Sequence, residues 1–491
     1  MAAATAKETK ASNNHVENVD EMKVEAEENY VAEQRQQLQL LNARIVRKYD
    51  IWVLPLVWVL YVISYLDRGN IGNAKTAGAQ EGLGLTSYEA LVMGTQLLLH
   101  YLHLSRVAGS MLEGLPSAHL RDRIIWGVCA MCSGLVHNMA RLVACRVGLG
   151  VLEAGFGAGV PYYLSLCYKR HELGTRVSIL LGSSPIANCI AGAIAYGISQ
   201  IHSHMEPWRL IFLIEGSPSI VMAPIVWFLL MDSPSTAKFF TNEERTFAVE
   251  RMETRDTTRK SSLSRAQLFA GLTDYKNYCH ACLHFCCNYS FAGLSNFLPT
   301  IVHSMGYDSV QAQGLTAPPY FGAFLSSILV AWLSDRYGSR GWILAISASV
   351  ATVGYALLAT QTGTAVRYVA IWLTSCSIFP ALAINMTWML NNNAGDTKKG
   401  IGMSLLAIIG QCSSFLASFM YPNSAAPYFV KGTAIGCGLT GIIVPVGMVL
   451  HFSYAAENRR RDREFGPVPQ GDGPIDVSAV GDKHNHFRLM T

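Results

Sequence analysis

Charge is scarce in this chain of 491 residues. Asp, Glu, Lys and Arg together make up 15% of it, against about 25% in an ordinary soluble domain. Apolar residues make up 51%, and mean hydropathy is +0.25. This balance excludes a water-soluble enzyme and predicts a polytopic membrane protein. Excess charge of one sign is missing too. The net is only +4, and the basic residues form short clusters between apolar runs, which read as topology signals and not as a nucleic-acid surface. No disulfide framework is legible: Cys129, Cys132, Cys145, Cys167, Cys279, Cys282, Cys286 and Cys287 fall inside apolar stretches, where cysteine is a small packing residue. Residues 1–45 lack an apolar run. Lys7, Glu8, Glu17, Glu25, Glu27 and Glu28 precede a Gln-rich stretch ending at Gln39. A cleavable leader is not expected there; the segment reads as a disordered tail, with room for a short helix before the first span.

What the chain does have is long hydrophobic runs. A span needs roughly 20 apolar residues, and runs of that length fall near 51–75, 88–110, 124–140, 142–165, 177–200, 209–231, 278–302, 314–334, 342–362, 367–390, 401–421 and 433–454. The expected fold is therefore all-α and integral to the membrane, with twelve transmembrane helices in two six-helix bundles. The expected divisions are a tail over 1–45, a first bundle over 46–232, a charged linker over 233–275, a second bundle over 276–455 and a tail over 456–491. Arg44, Arg47, Lys48, Arg121, Arg123, Lys169, Arg170, Arg176, Arg336, Arg340, Lys398, Lys399, the linker and Arg459–Arg463 all fall on one side. By the positive-inside rule both termini are then cytoplasmic. Paired halves of six spans imply a substrate site near the midplane, between bundles that rock against each other.

The most informative short run is Leu66-Asp67-Arg68-Gly69-Asn70-Ile71-Gly72-Asn73-Ala74, an acid beside a base late in the first apolar stretch. Ionisable groups at membrane depth are costly and rarely face lipid. They mark either a polar path through the bundle or the start of an external loop. Arg146 and Glu153 lie seven apart in the fourth run, hence on one helix face about 10 Å apart. A guanidinium stays charged and can hold a carboxylate bidentately. A glutamate between Leu152 and Ala154 is poorly solvated, which favours its neutral form and suits it to taking and giving a proton. The same pair could instead be a structural ion pair.

Ser334-Asp335-Arg336-Tyr337-Gly338-Ser339-Arg340 resembles the loop signature of the major facilitator superfamily. The resemblance implies that Asp335, Arg336, Gly338 and Arg340 form a gating latch. The chain is similar in particular to the anion:cation symporters of the fungal allantoate-permease type. This rests on the Leu66–Ala74 run, Arg146–Gly155, Trp208-Arg209 with Phe212–Gly216, Asp232-Ser233-Pro234 with Phe239-Phe240-Thr241, Phe297–Ile301 and Tyr421-Pro422. Together these cover about residues 44 to 465. The resemblance implies a secondary active transporter working by alternating access, not an enzyme. Its expected activity is proton-coupled uptake of a small organic anion, with Asp67 and Glu153 in proton coupling and Arg68 and Arg146 binding the anion. Trp388 and Gln411 are carried as further lining residues. A monomer in the plasma membrane is expected, with no cofactor, no metal and no nucleic-acid partner.

Three features pull elsewhere. Cys279, His280, Cys282, His284, Cys286 and Cys287 crowd one stretch, but their spacing completes no tetrahedral ligand set. His280-x-x-x-His284 resembles one box of membrane di-iron oxygenases, whose further His clusters this chain lacks. Residues 97–123 depart from the family: Leu98-Leu99-His100-Tyr101-Leu102-His103 stands where an aromatic-rich turn is expected. Either a functional polar face or a reading-frame slip in the gene model accounts for it; some codons for this string, read one base later, give Phe-Tyr-Ile-Thr-Tyr. Efflux of a metabolite and non-transporting nutrient sensing remain open beside uptake.

Overall fold

Apolar runs of membrane-spanning length become long helices in the computed structural model, which describes residues 36–83, 127–168, 170–201, 204–231, 234–253, 265–360, 363–394, 396–422, 425–466 and 487–491, with Tyr30, Glu33 and Gln34. The second expected span and the divergent stretch 97–123 lie outside these residues. In the first half, α1 (Leu54–Ala74) continues a helical stretch that begins at Gln36. It is followed by α2 (Met139–Cys167), α3 (Arg170–Leu181), α4 (Ser183–Ser199) and α5 (Pro207–Leu229). Between the halves lie α6 (Asn242–Glu253) and α7 (Arg265–Thr273). The second half is α8 (Tyr275–His303), α9 (Ser309–Tyr337), α10 (Arg340–Ala359), α11 (Thr364–Asn392), α12 (Asp396–Met420) and α13 (Val430–Phe465). Eight of the described helices are long and apolar enough to cross a membrane.

Several boundaries differ from the sequence reading, and two of them have a visible cause. The third run is helical only as far as Cys132, and the chain turns before Asn138 caps α2, its side chain accepting the Arg141 N–H at 3.0 Å. An Asn at the N-cap satisfies a backbone donor that the helix cannot, so the break falls ahead of the fourth apolar run. The last helix runs to Phe465, beyond the expected 455, because Glu457 pairs with Arg460 and Arg461 one turn on.

Lipid is as apolar as leucine, so these helices are held by close packing and buried polar contacts more than by hydrophobic burial. Two glycines show how close the halves come. A Cβ at Gly192 of α4 would lie 2.6 Å from the Thr316 hydroxyl of α9, and one at Gly72 of α1 would lie 2.7 Å from the Asn296 carbonyl oxygen of α8. Near Gly72, Gln313 of α9 accepts from the Ser199 hydroxyl at 2.9 Å. Asn188 of α4 donates to Ser295 of α8 at 3.2 Å. At the opposite end, which carries the linker, Thr175 of α3 donates to Asp335 at 2.6 Å. The halves therefore touch at both ends of the bundle.

The linker is strapped beneath the first half. Lys48 meets Glu244 at 2.6 Å and the almost fully buried Arg251 meets Glu172 at 2.5 Å, while Arg176 meets Asp50 at 2.6 Å within the first half. Thr241 and Glu244 form a capping box at the start of α6: each side chain accepts the other's backbone N–H, at 3.3 and 2.9 Å.

The C-terminal segment 487–491 docks on the same end of the second half. Phe487 and Leu489 are buried. Asn458 exchanges two hydrogen bonds with the Leu489 backbone, at 2.8 and 2.9 Å. Asn392 does the same with Met490 at 2.9 and 2.7 Å, and Arg461 donates to the Phe487 carbonyl at 2.8 Å.

Candidate functional site

Three helices of the first half bring charge together inside the bundle. From α1, Asp67 is fully buried; from α2, Arg146 is 4% exposed; from α5, Glu215 is fully buried. The Arg146 guanidinium donates to the Asp67 carbonyl oxygen at 2.8 Å and to the Asn70 amide oxygen at 2.7 Å. It also lies 4.8 Å from the centre of the Phe212 ring on α5, within cation–π range. One turn along α5 from Glu215, Ser219 donates to the Asp67 carboxylate at 3.0 Å. Three successive turns of α5 thus present Phe212, Glu215 and Ser219 towards Arg146 and Asp67. Gly216 makes this possible on the helix's other side: a Cβ there would meet the Met131 amide nitrogen at 3.0 Å, so a larger residue would push α5 away from residues 127–132.

Chemically, this is a polar site in an apolar surround. A buried guanidinium can receive a carboxylate, and adjacent acids can exchange a proton with it or with solvent. Arg68 is half-buried, its guanidinium 5.5 Å from the Tyr65 ring centre. Glu153 belongs to α2, one face with Arg146 by spacing; its side chain lies outside the described residues.

The other expected residues belong to the second half. Gln411 is half-buried on α12 and accepts from Ser414 at 3.2 Å. Trp388 on α11 is fully buried; its indole N–H donates to the Met490 carbonyl at 2.8 Å, and its ring packs edge-on against His280 and Tyr454. Both His280 nitrogens are engaged, with Asn385 at 2.8 Å and Tyr454 at 3.0 Å. The loop after α9, expected to act as a latch, is a tight turn held by its own contacts. Gly338 caps α9 at φ 63°, in the left-handed region that glycine enters without strain. Arg340 then turns back to Asp335 at 3.0 Å, while Arg336 stacks over Trp332 at 5.6 Å.

Glu215, Ser219 and Asn70 were not singled out from the sequence. The available signal was a lone acid, Glu215, inside an otherwise apolar run, which at membrane depth is a default pointer to function.

The model of the major facilitator superfamily matches residues 57–418. The chain belongs to the major facilitator superfamily. Its fellow members are transporters and not enzymes, and this chain is a multi-pass membrane protein with their twelve-helix fold. It is 30% identical to the MFS transporter prlL of a fungal species, over 92% of this chain and 94% of that one. It is 27% identical to the high-affinity nicotinic acid transporter of Saccharomyces cerevisiae, over 92% and 85%. Among solved structures, the proton:xylose symporter XylE superposes with a TM-score of 0.63 at 13% identity, covering 89% of this chain and 98% of the other; at that identity the superfamily fold is what the two share.

Proposed function

We propose that this superfamily member is a proton-coupled symporter that carries a small organic carboxylate into the cell, of the anion:cation symporter type. The observation that carries the reading is the burial of Arg146 against the equally buried Asp67, where α1 and α2 cross. A buried guanidinium beside protonatable acids can take up a substrate carboxylate when one of those acids holds a proton. Asp67 and Glu153 are assigned to the proton, Arg68 and Arg146 to the anion. Gln411 faces the pathway from the second half in this proposal, and Trp388 acts on it through its packing against His280. The likeness to a nicotinic acid transporter supports a carboxylate, since nicotinic acid is one. Proton and anion together enter nearly charge-balanced, which lowers the cost of closing around them.

The halves already touch at both ends of the bundle, so alternating access needs only that one set of contacts open at a time. The end bearing linker and termini is assigned to the cytoplasm on its basic residues, and the plasma membrane as the site of uptake. The test is uptake of labelled nicotinate, pantothenate, ureide acids and simple aromatic acids by cells lacking their own permeases, at acid and neutral outside pH. Acid-stimulated uptake of one of these, reduced at least about 100-fold in Arg146→Gln, is the expected outcome, a loss on the scale of one buried charge-assisted contact. Uptake from the surface-located protein that ignores outside pH would contradict symport.

A further inference from the structure

We infer that Glu215 is a proton-holding member of the coupling site, sharing one proton with Asp67 beside the Arg146 guanidinium. The inference rests on the proton-coupled reading above and extends it to the sixth span. Glu215 is fully buried, and neither of its carboxylate oxygens has a hydrogen-bond partner among the described residues. An ionised carboxylate in that condition has lost its hydration and gained no hydrogen bond in return, which is heavily penalised in a protein interior. The neutral acid costs much less.

Its surroundings make it more than a stray acid. Ser219, one turn on, reaches the Asp67 carboxylate, and Phe212, one turn back, carries the Arg146 guanidinium on its ring. Glu215 sits between them on the same stripe of α5 and interacts electrostatically with both Asp67 and Arg146. The elements packed around α5 bring these ionisable groups. From α1 come Asp67 and Arg68, the latter stacked on Tyr65. From α2 come Arg146 and Cys145, and from residues 127–132 come Cys129 and Cys132. α4 offers no charged residue, only Cys189 and Tyr196. Lys75 and Glu153 also belong to neighbouring elements, with side chains outside the described residues.

Among the described buried groups, two acids therefore face one guanidinium. With one proton on the acid pair the cluster is neutral and Arg146 can attract an anion. Without it, the second negative charge repels the anion. Moving a proton on and off the Glu215–Asp67 pair would thus gate the anion's affinity for the site, which is the linkage a symporter needs.

Infrared difference spectroscopy of the full-length protein in lipid vesicles, between acid and alkaline pH, tests this without any substrate. A protonated-carboxyl band that titrates with pH should be lost in Glu215→Gln and displaced in frequency in Glu215→Asp. Its midpoint should shift by at least about one pH unit in Asp67→Asn, since acids that share a proton titrate as a pair. Glu215→Gln keeps the shape of the neutral acid; should it fail to insert, the Glu215→Asp displacement decides the same question. A band identical in the Glu215 variants, one that persists into the alkaline range, or one whose midpoint ignores Asp67→Asn would overturn the inference. Those results would leave symport standing if wild-type nicotinate uptake is acid-driven, whereas uptake indifferent to pH would remove the symport reading whatever the band does.

Discussion

At the scale of single residues, the same kind of side chain does different work in the two halves. Trp388 and Arg146 are both large, buried and hydrogen-bonded to a backbone carbonyl. Arg146 is a charge among acids, whereas Trp388 joins α11 to His280, Tyr454 and the docked segment 487–491. Trp388→Ala should lower the stability of the purified protein by about 3–5 kcal/mol, as large-to-small changes in cores do. Trp388→Phe, which loses mainly the N–H bond, should cost about 1 kcal/mol and leave the KM for transport within about twofold, because the indole nitrogen is spent on Met490. A KM raised tenfold or more in Trp388→Phe would show instead that the indole meets the substrate. Asp67 and Arg146, which the structure buries, could be singled out in the sequence as ionisable groups in apolar runs, whereas the equally buried Glu215 was not. The Trp388 socket was not legible either: it depends on a segment about 100 residues downstream, at Met490, and no local pattern encodes such a pairing.

At the scale of helices, glycine placement and ion pairs decide how the elements meet. Gly72→Leu should abolish uptake while leaving membrane insertion intact, because its Cβ alone would crowd the Asn296 carbonyl, and backbone cannot give way as a side-chain tip can. Surface-biotinylated protein that still transports at the wild-type rate would refute a tight α1–α8 contact. At the linker, burial alone would raise the Glu244 pKa. The hydrogen bonds from Lys48 and from the Thr241 amide outweigh it and hold the carboxyl below its ordinary 4.5. A folded-state pKa below the unfolded one contributes stability above the unfolded value and loses it as pH falls through the folded value. Amide exchange in α6, corrected for intrinsic rates, should therefore quicken on acidification below the ordinary carboxylate value. That acid response should vanish in Glu244→Gln. Among the described residues, most helices were legible from run length; ends were not, since Asn138 as N-cap and Glu457 with its arginines act through side-chain geometry that hydropathy does not register.

At the scale of the whole molecule, the twelve-helix fold follows from the number and length of the apolar runs, and the family model over 57–418 agrees with it. Contacts between halves at both ends, Thr175 with Asp335 and Ser199 with Gln313, could not be read from either half alone. In the proposed cycle these contacts would set the balance between conformations, and the buried charges of α1, α2 and α5 would set what that balance is coupled to. The central claim is that this coupling moves a proton with an organic anion. Its most direct measurement uses purified protein in vesicles with an imposed pH gradient and the membrane potential clamped at zero. The labelled carboxylate that cells expressing the protein take up should accumulate inside when the outside is acid, the interior should acidify with it, and Asp67→Asn should abolish both. A carboxylate that merely equilibrates across the membrane, with no accompanying proton and no response to Asp67→Asn, would contradict proton-coupled symport.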